Sequence, residues 1–161
     1  MVEISFLGIL ISLASAIYAL ESFIPFPLPA GRWGFSNSIV LFSATVSLKS
    51  ALIVSAGKSI LGSVIVGRIM SPTFWMGFFG SIGAALVERT LYKLGFGYLG
   101  MSLAGSTVNN ILQMLFGAVL IKSKGIFFLL PMFLMMGSIS AVVNVYIAKA
   151  YERFWEVRTK T

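Results

Sequence analysis

The strongest constraint on this chain is the recurrence of long apolar runs separated by only a few polar residues. A membrane helix needs about 20 mostly apolar residues to cross about 30 Å of hydrocarbon. Six runs answer to that description: Ile4 to Ile24, Phe35 to Ser47, Ser50 to Val66, Thr73 to Val87, Tyr98 to Ile121 and Ile126 to Ala148. The second is short, and a polar tail from Lys149 to Thr161 follows the last. Of 161 residues 58% are hydrophobic and 11% charged, so six spans nearly exhaust the chain. An ordinary soluble domain is excluded, and no length remains for a separate catalytic or nucleotide-binding domain. The expectation is a single-domain, all-α integral membrane protein built as a six-transmembrane-helix bundle. The first run starts close to Met1 without a basic lead, so a cleaved signal peptide is not expected.

Residue types that are missing narrow the chemistry further. The sequence has no Cys, no His and no Asp, and its acids are Glu3, Glu21, Glu88, Glu152 and Glu156. Disulfide frameworks, Cys/His metal sites and His-based triads are therefore excluded, and neither enzyme activity nor a cofactor is expected. The net charge of +7 comes from basic residues spread between the apolar runs, not from a basic stripe interleaved with aromatics. Membrane orientation and anionic lipid account for it better than nucleic acid. An even number of spans puts both termini on one side. With the termini inside, Lys49, Arg89, Lys93, Lys149, Arg153, Arg158 and Lys160 face the cytoplasm, and Arg32, Arg68, Lys122 and Lys124 face out. Seven against four favours cytoplasmic termini in a prokaryotic cell membrane.

Small residues at helical spacing mark the helix contacts. Lipid tails are as apolar as Leu, so spans associate by close packing of small side chains and by interhelical hydrogen bonds. Gly8, Ser12, Ser15 and Ala19 form such a stripe on the first span, Gly77, Ser81, Ala84 and Glu88 on the fourth, and Gly137, Ala141, Asn144 and Ala148 on the sixth. Two readings are open: contact inside one bundle, or, most plausibly on the first span, docking of a second membrane protein.

Few polar residues lie within the runs, and each needs a reason. Lys58 sits in the middle of the third span, where an ionised side chain costs several kcal/mol unless it meets water, a partner or an anion. Gly57-Lys58-Ser59 is not a phosphate loop, because position 52 is Leu where that motif needs Gly. Lys58 either pairs with Glu21 or snorkels, or else it contacts a ligand. Ser102, Ser106, Asn109 and Gln113, with Asn110 beside them, make a polar stripe on the fifth span. These amides serve either as interhelical glue or as the lining of a cavity. Arg32, Trp33 and Asn37 lie in or just after a proline-rich loop, and Arg68 lies in the other outer turn. Singly the arginines suit interfacial anchors. Together with Lys58 and the amides they outline an outward-facing pocket, cationic and rimmed by aromatics, for an anionic or dipolar ligand with an apolar body.

Glu21, Pro25, Pro27-Leu28-Pro29, Gly31-Arg32, Gly34, Asn37, Lys58, Gly62, Ser71-Pro72-Thr73-Phe74, Asn109-Asn110 and Gln113 together resemble the Gx transporter family. That family is also labelled heptaprenyl diphosphate synthase component I. It is similar in turn to the substrate-binding S components of energy-coupling factor (ECF) transporters. The resemblance implies a six-helix subunit that captures a vitamin-like substrate outside and works with a coupling transmembrane protein and two ATPase subunits. It also implies a docking motif of small residues on the first helix, for which Ser12-xxx-Ala16 and Ser15-xxx-Ala19 are the nearest equivalents. The enzyme label meets a chemical obstacle, since prenyl diphosphate synthases hold magnesium with clustered aspartates and this chain has none. An accessory role beside such an enzyme, or beside a membrane electron-transfer system, is the alternative to transport.

Overall fold

A computed structural model describes residues 4–27 and 32–160, the stretch 156–160 through its backbone alone. Leu28, Pro29 and Gly31 of the proline-rich loop, and the side chains of Arg158 and Lys160, lie outside the described residues. Among the described residues six α-helices follow one another: α1 (Ile4–Glu21), α2 (Asn37–Val46), α3 (Leu48–Ile65), α4 (Pro72–Lys93), α5 (Tyr98–Leu120) and α6 (Leu130–Lys160). A 3-10 segment, Lys124–Leu129, leads into α6, and there is no strand among the described residues.

Among the described residues four stretches are long and apolar enough to cross a membrane: Ile4–Glu21, Leu48–Ile65, Tyr98–Leu120 and Lys124–Trp155. The chain is thus a multi-pass, all-helical membrane protein. Six equivalent spans are not what the structure builds. With 22 residues α4 is long enough, but it carries Glu88, Arg89 and Lys93 near its end and is less apolar. Helix α2 has only 10 residues. At 1.5 Å per residue it covers about 15 Å, half the hydrocarbon thickness.

Burial explains how so short a helix persists. Ser38 through Ala44 are all buried, so α2 is enclosed on every side and forms the axis of the bundle. Ile39, Val40, Leu41 and Phe42 pack with Phe6, Leu10 and Ala14 of α1, Ala51 and Val54 of α3, Ala85 of α4 and Met101 of α5. The carbonyls at its end cannot turn to water. Arg89 reaches across from α4 and donates to the Ala44 and Thr45 carbonyls at 2.9 and 3.0 Å. One extended residue, Ser47, then pivots the chain into α3 and caps it by accepting from the Ser50 amide at 2.9 Å.

The other helix ends follow from sequence in the same way. Gly67 adopts φ +69° after α3, which lets the Arg68 amide bond back to the Ser63 carbonyl at 2.8 Å. Ser71 caps α4 by accepting from the Phe74 amide, with Pro72 in the first turn.

Close helix contacts use the small-residue stripes. Gly77, Ser81, Ala84 and Glu88 are all buried, as are Ala141, Asn144 and Ala148. A Cβ on Gly105 of α5 would strike the Glu88 carboxyl, and one on Gly137 would strike Asn110. The stripe on α1 divides instead. Ser15 is buried and Ala19 half-buried, while Gly8, Ser12 and Ala16 face outward as a ridge with a helical step of four. Ser15 is therefore not available to a docking partner, whereas Ser12 and Ala16 are exposed.

The polar end of α6 does not simply enter water. Tyr151 and Trp155 close the lower end of the bundle, with Trp155 packed 4.4 Å from the Phe6 ring and Tyr151 at 5.0 Å from Phe42.

Candidate functional site

Where the α1–α2 connection meets the bundle, all six helices contribute polar side chains to one buried cavity of about 40 Å³. The lining includes Tyr18 and Glu21 from α1, Asn37 from α2, Lys58 and Ser59 from α3, and Gly77 and Ser81 from α4. Asn109, Asn110 and Gln113 come from α5, and Phe133, Ser140 and Asn144 from α6. A wider cleft of about 600 Å³ adjoins it, sharing Tyr18, Glu21, Phe26 and Arg32 and bounded beyond by Pro25, Arg68 and Thr73.

Of the eight residues expected to line a pocket, the structure brings seven to the inner cavity: Arg32, Trp33, Asn37, Lys58, Asn109, Asn110 and Gln113. Arg68 lies apart from these seven. It is exposed, follows the positive-φ Gly67 at the end of α3, and lines only the outer cleft.

Lys58 is 3% exposed and is held at both ends of a short network. Its Nζ donates to Asn37 Oδ1 and, at 3.3 Å, to Ser36 Oγ. The Ser36 hydroxyl and amide in turn donate to the two oxygens of Glu21 at 3.2 Å each. The two expectations for Lys58 thus meet in one place, since it is coupled to Glu21 through Ser36 and it lines the cavity. Below it, Ser55 donates to Ser81 at 2.7 Å, which approaches Asn37 Oδ1 at 3.5 Å.

Arg32 is placed by two neighbours. Its guanidinium lies 4.0 Å from the centroid of the Tyr18 ring, and a Cβ on Gly77 would collide with its Nη2. The Nη1 atom is buried and has no hydrogen-bond partner. Tyr18 itself is fixed by its hydroxyl, 2.8 Å from Ser63 Oγ, and by Gly62, whose missing side chain makes room for the ring.

The amides of α5 divide their work. Asn110 donates to the Phe133 carbonyl at 2.8 Å and so joins α5 to α6. Asn109 packs over Gly80 and, with Gln113, lines the cavity.

Helix α6 supplies the residues that sequence reasoning assigned only to packing or did not single out. Ser140 donates to the Trp33 carbonyl, and Asn144 Nδ2 donates to the Gly34 carbonyl at 3.2 Å. These two bonds hold the stretch before α2 against the bundle. Asn144 Oδ1 is buried without a partner. Aromatic contacts close the upper side: Trp33 Nε1 donates to the Pro25 carbonyl, Phe26 packs edge-on to Trp33 at 5.3 Å, and Phe26 meets Phe133 at 5.9 Å. Step-of-four spacing of Ser140 and Asn144 within an apolar run is the signal that could have found them.

Among the described residues there is no group of three or more His, Cys, Asp or Glu side chains placed to hold a metal ion. A polar cavity in an apolar bundle can instead recognise a small molecule through charge-assisted hydrogen bonds, with aromatic surface for its body. Comparison with curated proteins and with solved structures gives no match. A family model described as heptaprenyl diphosphate synthase component I matches residues 10–151, which contain every residue that lines the cavity. The chain belongs to the heptaprenyl diphosphate synthase component I family.

Proposed function

We propose that this protein is the membrane-embedded binding subunit of a transporter of the energy-coupling factor type. It sits in the cell membrane as a six-helix bundle with both termini in the cytoplasm, and α2 is sheltered by the other five helices. It takes up a vitamin-like or anionic amphipathic molecule from outside, and a coupling transmembrane protein with two ATPase subunits supplies the energy. The observation that carries this reading is the cavity itself. An isolated charge at membrane depth is costly, yet Glu21, Arg32 and Lys58 converge there with a set of amides drawn from separate helices. Helix association alone does not require that convergence, since interhelical polar contacts contribute only about 1 kcal/mol each.

Arg32, Trp33, Asn37, Lys58, Asn109, Asn110 and Gln113 line the inner part of the binding site, with Arg68 at its mouth. The exposed ridge of Ser12 and Ala16 is the face offered to the coupling protein. Native mass spectrometry of the protein purified in gentle detergent tests the reading. A retained small molecule is expected, and Asn109→Ala should reduce its retention without altering the helical content. A wild-type protein that carries nothing, or retention untouched by Asn109→Ala, would overturn the assignment.

The family description favours one second reading, an accessory subunit for isoprenoid or quinone synthesis or for a membrane electron-transfer system. Co-purification separates the two. ATPases with a coupling protein support transport, and a prenyl synthase or redox subunit supports the accessory role.

A further inference from the structure

Charge and volume in the inner cavity together define a ligand class. Three charged side chains line it: Glu21, Arg32 and Lys58. Glu21 faces both cations: it is joined to Lys58 through Ser36, which accepts from Lys58 and donates to Glu21, and it lies within electrostatic reach of Arg32. Glu88, another buried acid, packs against Gly105 outside the lining and interacts with Lys58. Arg32 still keeps an open donor. Its Nη1 is buried and unpartnered, a state that a charged donor keeps only at a cost unless an acceptor arrives. Resting on the binding reading above, we propose that the ligand carries a single carboxylate, received by Arg32 in the inner cavity, with an apolar or aromatic body extending past Phe26 into the outer cleft.

Size argues for a carboxylate over larger anions. A cavity of about 40 Å³ holds about three waters at 10–15 Å³ each. A carboxylate and its attached carbon replace that many waters, whereas a diphosphate is several times larger. The outer cleft, about 600 Å³, falls in the range that encloses a vitamin-sized body.

Thermal unfolding of the full chain in nanodiscs tests the charge rule, with four probes on one skeleton: 4-phenylbutyrate, 4-phenylbutyl phosphate, 4-phenylbutylamine and 4-phenylbutan-1-ol. The carboxylate should raise the midpoint most. Arg32→Gln should weaken its binding at least tenfold, and Arg32→Lys, which keeps the charge, should preserve the preference for the carboxylate at lower affinity. An equal or larger shift with the phosphate, amine or alcohol overturns the proposal, as does a carboxylate shift that survives Arg32→Gln. Native mass spectrometry keeps the two levels apart. A retained cation, dianion or neutral molecule whose retention falls in Asn109→Ala refutes the carboxylate and leaves the binding site standing. No retained molecule and no probe shift refutes both.

Discussion

Replacing Gly62 by Ala tests whether the site and the bundle share one packing solution. A Cβ at that position would lie 2.6 Å from Cγ and Cδ1 of Tyr18 and 3.0 Å from its Cβ. The ring cannot swing aside cheaply, because its hydroxyl is bonded to Ser63 and the Arg32 guanidinium lies 4.0 Å from its centroid. The nearby Tyr18 Cβ ties the clash to the α1 backbone, so α1 itself must move away from α3. Overpacking of this kind costs about 1–3 kcal/mol. Displacing the hydroxyl from Ser63 removes about 0.5–1.5 kcal/mol more. A loss of about 2 kcal/mol, toward the lower end of the combined range, is about a thirtyfold change in the unfolding equilibrium.

Gly8→Ala is the internal control, since a Cβ there meets nothing within 4 Å. It should be neutral or slightly stabilising, because Ala favours helix over Gly by about 1 kcal/mol. Unfolding of each variant by sodium dodecyl sulfate in mixed micelles, followed by circular dichroism, supplies the free energies. Tyr18→Ala combined with Gly62→Ala should cost less than the two single changes together, because the clash with the ring is gone and only the contact with the Cβ at position 18 remains. A Gly62→Ala protein as stable as the wild type, or no difference between Gly62→Ala and Gly8→Ala, would refute the packing argument.

Three further outcomes follow from the polar contacts. Arg89→Ala should destabilise the bundle by about 2 kcal/mol in the same assay, because it strips a charged donor from two carbonyls at the end of α2. Lys58→Met should cost about 3 kcal/mol by removing the cation that faces both Glu21 and Glu88, and adding Glu21→Gln should recover only part of that loss, as a double-mutant cycle would show. Ser140→Ala with Asn144→Ala should speed hydrogen exchange at residues 35–38 while leaving α4 and α5 unchanged, since both side chains hold the Trp33 and Gly34 carbonyls.

Much of this architecture is written in local patterns. Stripes of small residues on α4 and α6 pointed to helix contacts because a glycine or alanine every four residues has little other use in a membrane. The split on α1 was not legible, since a stripe shows that residues share a face and not what covers that face. Lengths failed where tertiary burial decides them. The run around α2 looked like a short span, but only the surrounding helices reveal that it is an enclosed half-length helix whose end is capped by Arg89. The cavity was anticipated from Lys58 and the α5 amides, because polar groups within apolar runs are few and each is conspicuous. Ser36 and Tyr18 carried no such signal. One becomes a bridge only when the α1–α2 connection brings it between Glu21 and Lys58, and the other reads as an ordinary core aromatic until Arg32 is laid over its ring.

Under the binding reading proposed above, the arrangement also bears on how the chain could report that its site is filled. Helices in lipid are held by packing and by polar contacts of about 1 kcal/mol each, without a hydrophobic force between them. A ligand at a hundred times its Kd stabilises the conformation that binds it by about 2.7 kcal/mol, which outweighs any one such contact. Its contacts in the cavity would fall on Tyr18 and Glu21 of α1 as well as on the other five helices. The opposite face of the same helix presents Gly8, Ser12 and Ala16 outward. On that reading, occupancy would set the position of α1 against α3, and the ridge that a partner would meet would move with it. On this view the glycine packing at Gly57 and Gly62 of α3, which lets Ile11 and Tyr18 of α1 lie close against that helix, is what converts binding into a change at the surface. Gly62→Ala should then weaken the difference in partner affinity between the filled and empty protein, even under conditions where both remain folded.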